Sequence, residues 1–183
     1  MALRNIRVIG DGVLEKPCKP LKAMNARTKI LIEDMYETMY HAGGVGLAAP
    51  QVGVLRRIVV IDCDGETPIL LINPEILETS GEQVGDEGCL SVPGKVATVR
   101  RADHVKVRAL DIDMNEFELE GDGLLARAIL HECDHLDGVL YTMKAESPLR
   151  DVMEEELEEA EAEAETEAKA EAAEAAKEGS ESA

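Results

Sequence analysis

Aromatic side chains are nearly missing from this chain. Its 183 residues include no Trp, one Phe and three Tyr. A chain of this length can bury a real core, but aliphatic side chains must fill it. The shortage also argues against single-stranded nucleic-acid binding, which stacks bases on aromatic rings. Positive charge is scarce too: 19 Lys and Arg stand against 38 Asp and Glu, a net charge of −19. Such a surface repels nucleic acid and anionic membrane at long range. No apolar run approaches the length of a membrane span, and no charged-then-apolar leader opens the chain. The expectation is a cytoplasmic protein with no membrane and no direct nucleic-acid partner. The four cysteines, Cys18, Cys63, Cys89 and Cys133, are then expected as thiols or metal ligands, not disulfides.

What is present is unevenly spread. From Asp151 onward fourteen acidic residues meet two Lys, so this segment carries −12 of the charge and residues 1–150 carry −7. "EEELEEAEAEAETEAKAEAAEAAKEGSESA" is Ala/Glu low complexity. Ala and Glu favour helix, while like charges at i, i+4 oppose it. The chain therefore reads as a domain, 1–150, and an acidic tail, 151–183, that frays from helix into disorder.

Within the domain, "IRVIGDGVLEKPCKPL" is broken by Gly and Pro and reads as a loop-rich arm. "NARTKILIEDMYETMYHAGG" predicts a helix capped by Asn25, with Leu31, Met35 and Met39 recurring every four residues and Gly43-Gly44 ending it. The middle is β-rich: "RIVVID" (57–62), "PILLIN" (68–73), a longer and more exposed strand in "EILETSGEQVG", then two or three antiparallel strands across "KVATVRRADHVKVRALDIDMNEFELEG" with a turn near Met114-Asn115. "GDGLLARAILHECDHLDG" predicts a second helix, capped by Asp122 and ended by Gly138. The fold class is α+β: antiparallel sheets around a central helix, with an N-terminal helix and an acidic C-terminal helix or tail.

The second helix carries "HECDH", residues 131–135. This is the H-E-x-x-H pattern, two imidazoles on one helix face with a glutamate as general base. Leu124, Ala128, His131 and His135 share one stripe. Cys133 lies about 200° around the helix from His131 and should face the core. A catalytic zinc normally has three protein ligands and an open position, yet the other histidines, His41 and His104, both lie upstream.

Three readings of the helix remain. It could carry two chance histidines. It could belong to a small metallopeptidase completed by a downstream carboxylate, Glu146 or one of Glu154–Glu156. Or an upstream cysteine could complete the site. "GDEGCLSVPG" (85–94) offers Cys89 flanked by glycines, and a Cys-His-His set is chemically sound. "GGVGLAAPQVG" (43–53) adds a tight turn and the neutral amide of Gln51, able to donate to an oxyanion. Without G-K-[ST] it is a poor phosphate loop.

Three segments in order, Gly44-Val45-Gly46-Leu47-Ala48-Ala49-Pro50-Gln51, Glu87-Gly88-Cys89-Leu90-Ser91 and His131-Glu132-Cys133-Asp134-His135, resemble the signatures of the peptide deformylase family. The likeness covers roughly residues 4–150 and leaves the tail outside. The resemblance implies a metal-dependent hydrolase that removes the N-formyl group from nascent peptides beginning with formyl-methionine and releases formate. It implies one divalent ion per chain on Cys89, His131 and His135, with Fe2+ expected first and Zn2+, Ni2+ or Co2+ able to replace it. Metal-bound water would attack, Glu132 would serve as general base and then acid, and Gln51 with the Leu90 N–H would stabilise the oxyanion. Gly46 would hold the peptide backbone, and Val45, Leu124 and Ala128 are candidates for the methionine slot. Some relatives place an Arg after the Cys motif to contact substrate; here that stretch is Pro93-Gly94-Lys95-Val96. Some dock on the ribosome through a basic C-terminal helix; an acidic tail would be repelled by ribosomal RNA, so ribosome association through it is expected to be absent or to use a basic ribosomal protein. Besides the metallopeptidase, a non-enzymatic metal- or partner-binding module stands as the contrasting reading.

Overall fold

A computed structural model describes residues 2–154 of the chain. The expected acidic tail therefore lies outside the described residues from 155 onward. Among the described residues no helix is long and apolar enough to cross a membrane.

The opening arm forms no helix, as its prolines and glycines predict, and is tied down at intervals. Asp34 accepts from the Ala2 N–H at 2.7 Å and from the Arg4 guanidinium at 2.9 and 3.1 Å. Asn73 accepts from the Leu21 N–H at 2.7 Å and returns its amide to the Leu21 carbonyl at 2.8 Å. Helix α1 (Ala26–His41) starts where Asn25 accepts from the Thr28 N–H, and it buries Leu31, Met35 and Met39 as the four-residue period requires.

A five-stranded antiparallel sheet follows. It contains β1 (Gly46–Ala48), β2 (Ile58–Ile61), β3 (Ile69–Ser80), β6 (His104–Leu110) and β7 (Glu116–Asp122), in the order β1-β2-β3-β6-β7. Strand β2 is buried along its whole length because both its faces are covered. Val59 and Ile61 join the core under helix α2 (Gly123–Leu136), whereas Ile58 and Val60 join the core under α1. A smaller antiparallel sheet holds β4 (Gln83–Cys89), β5 (Val92–Arg101) and the short β8 (Arg150–Asp151), in the order β4-β5-β8. The α+β class is as expected.

Three local expectations change. "PILLIN" and "EILETS" are one strand, β3, which passes Pro74 at a register shift where Asn73 adopts φ 51°. A proline without an N–H is tolerated at such a bulge. The chain then turns at Gly81 (φ 67°), and "QVG" begins β4 in the other sheet. The alternating stretch after Lys95 does contain three strands, but β5 pairs with β4 while β6 pairs with β3 and β7. Alternation reports that a strand has two faces and is silent on which sheet holds it. Asp122 does occupy the N-cap of α2, but its carboxylate meets His104 Nδ1 at 2.7 Å instead of a helix N–H. His104 lies directly opposite it across β6 and β7. Gly138 follows the end of α2 with φ 77°, and a Cβ there would lie 2.7 Å from the Glu15 backbone.

The Asp34 clasp yields a pH-dependent prediction. Hydrogen bonds to a charged group contribute about 1.5–3 kcal/mol, so Asp34→Asn should cost about 1–3 kcal/mol in urea denaturation near pH 7. The Ala2 N–H, opposed by burial and helped by Arg4, holds the Asp34 carboxyl below its ordinary range. Its stabilisation is complete above the unfolded value of about 4 and vanishes as pH falls through the lower folded value. The stability gap between wild type and variant should narrow over that acid range. A gap that stays constant with pH would refute the clasp.

Candidate active site

Strand β4 and helix α2 build the centre of the site through their two periods. Alternate residues of a strand share a face, so Glu87 and Cys89 point the same way. Residues four apart on a helix share a stripe, so Arg127, His131 and His135 line up. Where the two elements face each other, Cys89, His131 and His135 bring one potential ligand atom each to within 4.8 Å of one another. Cys89 Sγ lies 3.2 Å from His135 Nε2. Ligand atoms around a tetrahedral ion with bonds of about 2.0–2.3 Å stand about 3.5 Å apart, so this set fits a metal.

Beneath it lies a buried charge network. Glu87 Oε2 meets His131 Nδ1 at 2.9 Å, which leaves the other ring nitrogen for the cluster. Arg101 grips Glu87 with two nitrogens at 2.8 and 2.9 Å, and Arg127 Nη1 adds a third contact at 2.7 Å. Asp134 accepts from Arg101 and, at 2.7 Å, from Lys144. These partners hold the Glu87 carboxyl far below its ordinary range although burial pushes the other way. His131 is raised: burial opposes its charge, but Cys89 and Glu87 outweigh it. His135, buried beside His131 and Arg101, is lowered well below the imidazole range. His135 Nδ1 and Glu132 Oε2 are buried with no hydrogen-bond partner among the described residues.

Glu132 lies against the glycine turn. A Cβ on Gly46 would come within 2.4 Å of Glu132 Oε1, so only glycine admits the carboxylate there. Burial raises the Glu132 carboxyl to about 7. Gln51 is buried, and its orientation is fixed: Oε1 accepts from the Ala48 N–H at 2.8 Å. Its amide nitrogen is thereby aimed at Ser91 Oγ, 3.2 Å away, and Cys89 Sγ, 3.5 Å away. Leu90 and Ser91 form the two-residue turn between β4 and β5. Just beyond it β5 bulges, because Gly88 pairs with Val96 while Cys89 pairs with Val92. Gly94 takes φ 71° in that bulge.

Much of this arrangement opens on one cavity of about 640 Å³, although His135 does not itself line it. Gly46, Gln51, Cys89, Leu90, His131 and Glu132 line it, as do Val45, Leu124 and Ala128. Ala128 is buried in the wall, whereas Val45 (43% exposed) and Leu124 (55%) sit on the rim. Lys95 also lines the cavity, with its ammonium held by Asp151 at 2.7 Å. Glu146 takes no part: both its oxygens bond Arg100. Cys133 packs in the core on the far side of α2, as its helical angle predicts.

Sequence reasoning missed Arg101 and Arg127 and gave Glu87 no role. The i, i+4 spacing of Arg127 to His131 and the i, i+2 spacing of Glu87 to Cys89 were the available signals. Arg101 had none, because its partner lies across a strand pairing. Ile6 from the arm and Val152 after β8 also reach the cavity, and nothing local marks either.

Comparison with known proteins bears on the same residues. The polypeptide deformylase family model matches residues 3–151. The peptide deformylase of Agathobacter rectalis is 61% identical over 156 residues, which is 85% of this chain and 98% of that protein. That of Lachnoclostridium phytofermentans is 58% identical over 154 residues, covering 83% of this chain and 94% of its own. Among solved structures, a peptide deformylase from Legionella pneumophila superposes with TM-score 0.77 at 47% identity, over 80% of this chain and 88% of that one. One from Thermotoga maritima gives TM-score 0.77 at 44% identity, over 81% and 100%. The match spans the arm, both sheets and all three motif segments, so the chain belongs to the polypeptide deformylase family and is a deformylase enzyme.

Proposed function

We propose that the chain removes the formyl group from the N-terminal formyl-methionine of nascent peptides, releasing formate, on a divalent ion held by Cys89, His131 and His135. The observation that carries this reading is a Cys-His-His donor set, two of whose members line one cavity together with an unpartnered buried carboxylate and a fixed amide donor. One thiolate and two imidazoles suit iron and zinc alike. Family likeness puts Fe2+ first, with Zn2+, Ni2+ or Co2+ as replacements. When bound, the ion supplies Lewis acidity, lowering the pKa of a water and polarising the formyl oxygen.

The protein groups divide the remaining work. Glu132 holds a proton at its carboxylate, first taken from the attacking water and then passed to the leaving amine; burial, which favours the neutral carboxyl, suits it to hold that proton between the two transfers. The Gln51 amide, pinned through its oxygen, donates to the negative charge that develops on the formyl oxygen, and the Leu90 N–H donates beside it. A neutral amide does this without a charge to desolvate. The peptide backbone runs along Gly46, where the missing side chain lets Glu132 come close to the same strand. The methionine side chain lies against Val45, Leu124 and Ala128. Glu87 fixes the ring of His131 so that one nitrogen always faces the cluster.

Two experiments test this. Cys89→Ser should lower metal affinity by more than about 100-fold, beyond the effect of a lost supporting residue, read by elemental analysis of purified protein. Undiminished metal would mean that another residue completes the site. Glu132→Ala should keep its metal and lose about 10²–10⁴ in kcat, measured as formate release from formyl-Met-Ala-Ser under anaerobic conditions. Wild-type protein that ignores this peptide yet cleaves an internally quenched one would replace deformylation with endopeptidase activity.

A further inference from the structure

The second large cavity of the molecule lies away from the metal cluster and has an unusual charge. It measures about 870 Å³ and is formed by the end of the arm, the start of α1 and the segment leading into β2. Leu21, Leu31, Val54 and Ile58 give it an apolar floor, and Lys19, Lys22, Arg27 and Arg56 stand around it. No Asp or Glu lines it. The domain has a surplus of carboxylates, and most of its cations are within ion-pair distance of one. Among the described residues only Lys16, Lys19, Lys22, Arg27, Lys29 and Arg56 are not, and four of these six line this one groove. All four groove cations are exposed. Clustered like charges repel one another, and an anion relieves that repulsion.

We infer that this groove is the intramolecular docking site of the chain's own acidic segment, residues 155–183. That segment holds twelve Glu against two Lys, together with ten Ala and no aromatic residue. Its carboxylates complement the cations, and its methyl groups suit a shallow apolar floor. Reach is ample. A chain of this length can span up to about 95 Å when fully extended, against a radius of gyration of about 15 Å for a 150-residue domain. Tethering also gives the segment an effective concentration near the millimolar range, which favours it over any dilute polyanion. The docked segment shields the groove from nucleic acid. Because the contact is between exposed charges, salt releases it: the screening length falls from about 10 Å at 0.1 M to about 3 Å at 1 M.

Carbodiimide crosslinking of the full chain, read by peptide mass spectrometry, tests this directly. The reagent joins a carboxyl to a nearby Lys ammonium as an amide. At low salt, Lys19 and Lys22 should crosslink to glutamates of 155–183 at least about fivefold more than Lys106 and Lys144 do, and 1 M salt should abolish the preference. The Arg27→Glu/Arg56→Glu variant keeps both target lysines and should lose the preference as well, while its deformylation rate stays at the wild-type value. In a mixture of ordinary and 15N-labelled chains, the crosslinks should stay within one isotope. Tail crosslinks spread evenly over all lysines would overturn the proposal. So would mixed-isotope pairs, which place the tail on a second copy. A short RNA duplex that binds wild type but not the variant, with no tail crosslinks, would reassign the groove to nucleic acid.

Discussion

One buried carboxylate holds the parts of this enzyme in register. Glu87 on β4 accepts from Arg101 on β5, Arg127 on α2 and His131, also on α2. Glu87, Arg101 and Arg127 are each less than a tenth exposed. Removing such charges from water is costly, and only complementary hydrogen bonding on all sides offsets it. Deleting one partner would leave an uncompensated charge, at a cost of about 3–5 kcal/mol. The network docks the small sheet, which carries Cys89, onto the helix that carries both histidines. Asp134 and Lys144 extend it to the chain segment after α2. The same contacts that join the two halves of the fold thereby set the ring orientation of His131, a candidate metal ligand.

The arm and the glycine turn supply the rest of the frame. The Arg7 N–H donates to the Gln51 carbonyl at 2.7 Å, and the Ile9 N–H to the Ser91 carbonyl at 2.8 Å. An apparently irregular segment therefore spans two of the three motif segments and is itself clasped at Asp34 and Asn73. Gly46 lets Glu132 approach β1 more closely than any side chain would permit. Through these two bonds the arm ties the Gln51 segment to the Ser91 segment.

The helices were legible in the sequence because each has a cap, a breaker and an apolar stripe, as in Asn25, Gly43 and the Leu31-Met35-Met39 row. The three site segments were legible because their chemistry sits in short, ordered motifs. The sheet partition was not. β3 runs on through Pro74, and β5 passes to β6 through two residues while changing sheets. Asp122 holds the N-cap position as expected, but its carboxylate turns to a cross-strand histidine that competes with the helix for it.

The sequence by itself determined the local facts: which residues form helix and strand, that His131 and His135 share a face, that Cys133 turns away, and that Cys89 and Gln51 stand in glycine-rich turns. Those follow from periods of 3.6 and 2 and from backbone freedom at glycine, all properties of neighbours in the chain. Tertiary structure alone decided that Arg101, fourteen residues from Glu87, would neutralise it. It likewise decided that Ile6 and Val152, from opposite ends of the domain, would meet in one cavity, and that four of the six unpaired cations among the described residues would gather in one groove. Such pairings depend on strand register and sheet packing, which arise from contacts between distant segments and leave no period in the sequence.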